Sequence, residues 1–201
     1  MLARARAEPG TLVLGVDANA DGMADAASRA ARKPAKGGAP NARFVVCAAE
    51  ALPGELAACA ELVTIQFPWG SLLHGILAGD PTLLAAIVGL LKPIPSVELR
   101  LLLSIEPRDG AAGLEVLDQP ALEGVARAFE GFGLRAGELR AATPADVVAS
   151  HSTWAKRLRA GSSERRAWLL RFGVEPSPRR YARQTGRATG PSPRAATTTK
   201  E

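Results

Sequence analysis

Along most of the chain, short unbroken apolar runs alternate with stretches of helical spacing. Thr11-Leu12-Val13-Leu14-Gly15-Val16 is such a run, ends on Asp17, and predicts a buried parallel strand. Asp21 is positioned to cap a helix from about Gly22 to Arg32. A Gly/Pro/Lys loop from Pro34 to Pro40 leads to a second strand, Phe44-Val45-Val46-Cys47, ending near Glu50. After a turn at Pro53-Gly54 a third strand runs from Leu62 to Gln66, and Pro68 stops it, because proline lacks an N–H. Trp69 and a helix-starting Gly70-Ser71 follow at once. Helices are expected at 71–78 and 81–91, the second capped by Asp80 with Pro81 in its first turn.

Val97 to Ile105 reads as a long apolar strand, and residues 106–118 as an irregular connection. Gln119 to Phe132 sets Leu122, Val125, Ala126 and Phe129 on one helical face. Leu134 to Ala142 and Ala167 to Phe172 are strand candidates, separated by a helix opening on Thr143-Pro144 and by a polar loop holding Trp154. Trp168 falls in the last strand and is expected in the core. From about Val174 onward almost nothing can be buried, so 174–201 is expected to be a disordered basic tail behind a domain of residues 1–173. Strands alternating with helices predict an α/β fold, a mostly parallel sheet with helices on both faces.

Charge refines this picture. Residues 1–150 carry 13 Lys and Arg against 17 Asp and Glu, whereas 151–201 carry 12 against 3, within an overall net charge of +5. A mildly acidic body with a basic end suits a polyanionic partner approached from one side; GC-rich coding gives a similar arginine-heavy composition. Cys47 and Cys59 have no metal spacing and are expected as buried thiols. His74 and His151 belong to no nucleophilic or metal constellation, and no metal is expected. No apolar run is long enough to span a membrane, and Met1 to Arg6 lack a signal-peptide core, so a cytoplasmic protein is expected.

Ligands of open α/β sheets sit outside the carboxyl ends of the strands. Asp17, at such an end, suits a ribose hydroxyl, with a helix cap or loop carboxylate as the other reading. Glu50, after the next strand, is a candidate for the adenine end of the same cofactor, or a solvated loop acid. Trp69 either walls a pocket for a flat substrate or covers the core. Lys33, Lys36, Arg157, Arg165 and Arg166 read as phosphate contacts or as a solvated face. On the fold alone, a nucleotide-dependent oxidoreductase using Asp17 is a competing class, but it explains neither Trp69 nor the basic end.

Three motifs sharpen the reading: Phe67-Pro68-Trp69-Gly70-Ser71-Leu72-Leu73, Lys33-Pro34-Ala35-Lys36-Gly37-Gly38 with Pro40-Asn41, and Ser152-Thr153-Trp154-Ala155-Lys156-Arg157-Leu158. Together they resemble the aminoglycoside-resistance 16S rRNA methyltransferases (Kam type), which modify N1 of adenine 1408. The resemblance spans roughly residues 2–172. It implies a Rossmann-like class I sheet, S-adenosylmethionine held by Asp17 and Glu50 with Ser152 nearby, and a target adenine between Trp69 and Trp154. It also implies rRNA contacts by Lys33, Lys36 and Arg157, with a looser match at Arg165 or Arg166. The partner would be 16S rRNA in the 30S subunit, and the enzyme a monomer.

One departure stands out. The family has a strand and a Gly-rich acidic loop ahead of the strand that ends on Asp17, and no such unit precedes it here. Met1 to Gly10 read as the end of the helix that follows that loop. The sheet is therefore expected to be N-terminally truncated, with open edges on both neighbours of the missing strand. Met1 is read as an internal or mis-called start of a longer protein. A truncated relative that binds rRNA without methylating it is the alternative.

Overall fold

In the computed structural model the described residues are 1–106, 109–110, 113–114, 116–152, 155 and 165–174. The expected tail and several loop residues, Trp154 and Arg157 among them, lie outside this set. Helix α1 (Leu2–Ala7) leads to strand β1 (Val13–Asp17) and helix α2 (Ala20–Ala30). The α2 cap is Asn19, not Asp21: the Asn19 side chain accepts the Gly22 N–H, and Asp21 lies inside the first turn. Strands β2 (Ala42–Val46) and β3 (Leu62–Gln66) follow, then α3 (Gly70–Ala78), α4 (Pro81–Gly89) and β4 (Glu98–Leu103). The chain continues through α5 (Gln119–Glu130), β5 (Leu134–Ala141), α6 (Pro144–Ala149) and β6 (Trp168–Val174).

The helix ends follow the residue chemistry. Asp80 accepts the N–H groups of Thr82 and Leu83, Pro81 sits where no N–H is needed, and Gly79 closes α3 in the left-handed conformation at φ 67°. Asp118 caps α5 through the Ala121 N–H. Thr143 and Asp146 form a reciprocal capping box at the start of α6.

The strands form two sheets rather than one. β1 and β2 pair in parallel; β3, β4, β6 and β5 form a second sheet in that order, with β3–β4 parallel and β6 antiparallel to both neighbours. β1 and β3 therefore pair on one side only. Four consecutive residues of β1, Val13 to Val16, and alternate residues of the second sheet, among them Thr64, Gln66 and Arg100, line a cavity of about 360 Å³ between the sheets. The unpaired edges of β1 and β3 are the two that were expected to be open.

The core explains the alternation in β4. Leu99, Leu101 and Leu103, with Leu170 and Phe172 of β6, meet buried residues of α3, α4 and α5 on one face. Phe129 of α5 tilts onto Phe172 with ring centroids 5.0 Å apart. No helix among the described residues is long and apolar enough to cross a membrane; the apolar α3 and α4 are core helices, with Leu73, Ile76, Leu83, Leu84 and Ile87 buried. A separate small cluster, Ala5, Ala30, Ala39 and Ala42, joins α1 and α2 to β2. Trp168 is half-buried against the main core. Cys47 is half-buried and Cys59 exposed, both free, which corrects the expectation of two buried thiols.

The other face of the larger sheet is polar, and α6 is the helix that packs there, through Val147. Arg100 and Arg171 both donate to Glu98, Arg171 also reaches Glu138, and Arg140 links Glu138 to Asp146. Hydrogen bonds from Arg140, then from Thr143, hold the Asp146 carboxyl far below the usual carboxylate range. With the folded pKa depressed, its stabilisation is complete above the unfolded value of about 3.9 and fades as pH falls through the folded one. Asp146→Ala is thus expected to cost about 1 kcal/mol at pH 7, with the gap to the parent narrowing below about pH 4. Urea unfolding at several pH values measures this, and a gap constant down to pH 3 would contradict the assignment.

Candidate active site

The site forms at the carboxyl ends of β3 and β4. Phe67, the first residue after β3, has φ 52°, a left-handed conformation that is unfavourable for a bulky residue, and its N–H donates to the Leu102 carbonyl at 2.7 Å. This turn drives the Phe67 ring inward, where it packs with Leu102, Ala155, Ala167 and Leu169. The chain then passes through Pro68 to Trp69, which occupies the N-cap position of α3 in extended conformation and adds no side-chain cap bond. The Trp69 side chain remains 45% exposed. It does not seal the core; it stands at the rim.

The C-terminal motif meets this turn. Ser150 donates to the Val147 carbonyl and accepts the Ser152 N–H, and half-buried Ser152 accepts the Ala155 N–H at 3.1 Å. Ala155 is 2% exposed and packs in the Phe67 cluster. Trp154 and Arg157 lie outside the described residues.

Asp17 and Glu50 are exposed and follow neighbouring parallel strands, whose ends are tied by the Cys47 N–H donating to the Asp17 carbonyl. Oδ1 of Asp17 accepts the Asn19 N–H, which leaves Oδ2 for a sugar hydroxyl. Lys33 and Lys36 are exposed on a 3-10 turn, Pro34–Lys36, that ends in left-handed Gly37. Gly38 is required for that turn, because a Cβ there would overlap the Arg32 carbonyl.

The two late arginines separate sharply. Arg166 is exposed, and its backbone N–H donates to Glu106. Arg165 is 2% exposed, with Nε on Ser104 Oγ at 2.9 Å and Nη2 on Asp109 Oδ2 at 2.7 Å. The expectation that Arg165 meets phosphate is corrected on this ground, since its guanidinium is committed inside the protein. Ser104, Asp109 and Phe67 are the residues that sequence reasoning missed. A Phe-Pro pair leaving a strand was a usable signal for Phe67; the other two carried none. Among the described residues no cluster of His, Cys, Asp or Glu is able to hold a metal ion.

A family model described as "NpmA: 16S rRNA (adenine(1408)-N(1))-methyltransferase" matches residues 1–173. The chain belongs to this methyltransferase family. A relative of that name from Streptoalloteichus tenebrarius is 33% identical over 157 residues, 77% of this chain and 72% of the relative. One from Escherichia coli is 30% identical over 156 residues, 75% and 71% of the two chains. The crystal structure of a tryptophan-to-alanine mutant of the enzyme from Catenulisporales acidiphilia, with cosubstrate SAM, aligns at TM-score 0.73 and 31% identity, covering 89% of this chain and 81% of that one. The aminoglycoside resistance methyltransferase NpmB1 aligns at TM-score 0.68 and 35% identity, covering 87% and 81%.

The fold is thus the Rossmann-like sheet of an S-adenosylmethionine-dependent methyltransferase, and the residues present fit part of that cosubstrate's site. Asp17, the last residue of β1, and Glu50, on the 3-10 turn Ala49–Ala51 that follows β2, are carboxylates of the kind that accept from ribose hydroxyls and an adenine amino edge. The methyltransferase offers no catalytic acid–base pair beside Trp69 among the described residues, and methyl transfer to a ring nitrogen needs none.

Proposed function

We propose that this methyltransferase modifies N1 of adenine 1408 in the 16S rRNA of the 30S subunit, in the cytoplasm, and thereby confers aminoglycoside resistance. One observation carries the reading: Ala155, the next residue in sequence after Trp154, is buried against Phe67, which lies two residues before Trp69. Reaching N1 requires unstacking the base, at a few kcal/mol, and each aromatic face returns about 1–3 kcal/mol. Two indoles together offset the flip; one alone falls short. When bound, S-adenosylmethionine supplies the methyl group, the N1–carbon bond forming as the sulfur–carbon bond breaks and the sulfur keeps the electron pair. Neutral adenine N1 carries an in-plane lone pair and no proton, so the protein need only hold it in line. Asp17 and Glu50 orient the cosubstrate, with Ser152 nearby. Lys33, Lys36, Arg157 and Arg166 grip phosphates and fix the register. The enzyme acts as a monomer.

The test is a primer-extension stop at adenine 1408 in 30S subunits treated with the protein and S-adenosylmethionine. Unmodified adenine, together with calorimetric binding of the cosubstrate, would overturn the reading. Calorimetry also tests the carboxylate: Asp17→Ala is expected to weaken S-adenosylmethionine binding about tenfold, for one to two lost hydrogen bonds to a charged acceptor. Unchanged affinity would remove Asp17 from the site.

A further inference from the structure

Between Asp25 and Glu50 the sequence holds Arg29, Arg32, Lys33, Lys36 and Arg43 and no acidic residue, although acids outnumber bases over residues 1–150 as a whole. Arg29 is paired with Asp25 at 3.2 Å. Lys33 and Lys36 are exposed and make no side-chain hydrogen bond or ion pair with another described residue. A third cation joins them from a different element. Arg6, in the last turn of α1, is exposed and likewise unpaired among the described residues. Its guanidinium lies against the end of the Pro34–Lys36 turn, where a Cβ on Gly37 would meet Nη2 at 3.7 Å. The neighbouring Arg4 is instead neutralised by Glu8, through Nε and Nη2 at 3.2 Å.

The frame that holds these cations is rigid. Ala5 is fully buried among Ala30, Ala39 and Ala42, so α1 is seated on both ends of the loop that carries the lysines. Asn41 Nδ2 donates to the carbonyls of Ala5, Glu8 and Thr11 at 2.8, 3.0 and 2.7 Å, which ties the end of α1 to the end of that loop. The Ala39 N–H donates to the Ala30 carbonyl at 2.9 Å and closes the loop at its base. Like charges fixed together repel, and an anion placed among them reverses the sign of the interaction.

We propose that Arg6 is a further rRNA-contacting residue, which joins Lys33 and Lys36 in a preorganised grip on neighbouring phosphates. Its planar fork suits two phosphate oxygens at once, whereas each lysine acts as a point charge. The inference rests on the assignment of Lys33 and Lys36 to phosphate. The competing account confines Arg6 to α1, where a cation in the last turn favours the carbonyl end of the helix; that role affects stability and not binding.

Filter binding of the full chain to 30S subunits across a salt series separates the two. The variants are Arg6→Gln, Arg6→Lys, Lys33→Gln, Lys36→Gln and, as a charge-matched control, Arg127→Gln on α5. Arg6→Gln is expected to reduce the slope of log affinity against log salt by about one, as each lysine variant does. Affinity at about 0.1 M salt should fall about fivefold to tenfold, the counterion-release share of one phosphate contact. Arg6→Lys should keep the slope, because the charge remains. Arg127→Gln, whose guanidinium faces Glu123, should change neither quantity. The urea midpoint of Arg6→Gln should match that of the parent.

If Arg6→Gln keeps the parent slope and affinity while the lysine variants lose both, Arg6 serves α1 alone and the proposal falls with the lysine assignment intact. If neither lysine variant changes the slope, that assignment fails and takes the proposal with it. Should Arg6→Gln not fold, labelling of the parent with an arginine-directed dicarbonyl decides. Arg6 shielded by bound subunits, read by mass spectrometry against Arg127, supports the contact, and equal labelling with and without subunits overturns it.

Discussion

Trp69→Ala is expected to lower methylation of the 30S subunit by about 5- to 150-fold, the rate equivalent of losing roughly 1–3 kcal/mol of base stacking. Subunit affinity should barely move, because phosphate contacts supply most of it. The two quantities separate because the indole is 45% exposed at the rim and makes no cap bond to α3. Its truncation is therefore expected to change stability by no more than about 0.5 kcal/mol. Single-turnover primer extension and filter binding on the same subunits measure the split. If affinity and rate fall together, or the variant melts much earlier than its parent, Trp69 is a structural residue and the stacking scheme fails.

The second large effect falls on stability. Phe67 is 5% exposed, and its ring joins the Trp69 turn to Ala155. Phe67→Ala should cost about 3–5 kcal/mol, as expected for a buried phenylalanine. Phe67→Gly removes the same ring but also relieves the left-handed strain, which is worth about 1–2 kcal/mol for a residue with a Cβ. Glycine is therefore expected to be the milder replacement, the reverse of its usual order against alanine. Denaturant melts of the two variants decide it: an alanine variant at least as stable as the glycine one would show that the φ of 52° carries no strain.

Local signals were the legible ones. The β3 span, Leu62–Gln66, the Asp80 and Thr143 caps and the buried face of α5 all follow from patterns within a few residues. The α2 cap went to Asn19 over Asp21 because both side chains suit a helix start, and only the backbone at 19, extended at φ −88° and ψ 96°, decides between them. Arg165 and Arg166 are identical in sequence terms. Their opposite environments come from partners 56 to 62 residues away. No local pattern encodes that. Likewise the exposure of Cys59 depends on what packs over residues 57–60, not on the thiol's own preference. The Phe67 conformation was half-visible, since the proline after it marked a turn without giving its hand.

The split sheet has a consequence for handling the protein. Parallel strands are normally covered on every side, yet here β1 offers a row of amides and carbonyls without strand partners, flanked by Val16 at 39% exposed and Leu12 at 62%. Such a margin recruits extended chains from other molecules, so concentrated solutions are expected to grow oligomers enriched in intermolecular β-structure. A lysine in place of Val16 should suppress that growth through charge repulsion, as seen by sedimentation velocity, whereas identical profiles for parent and variant would mean the margin is shielded in solution.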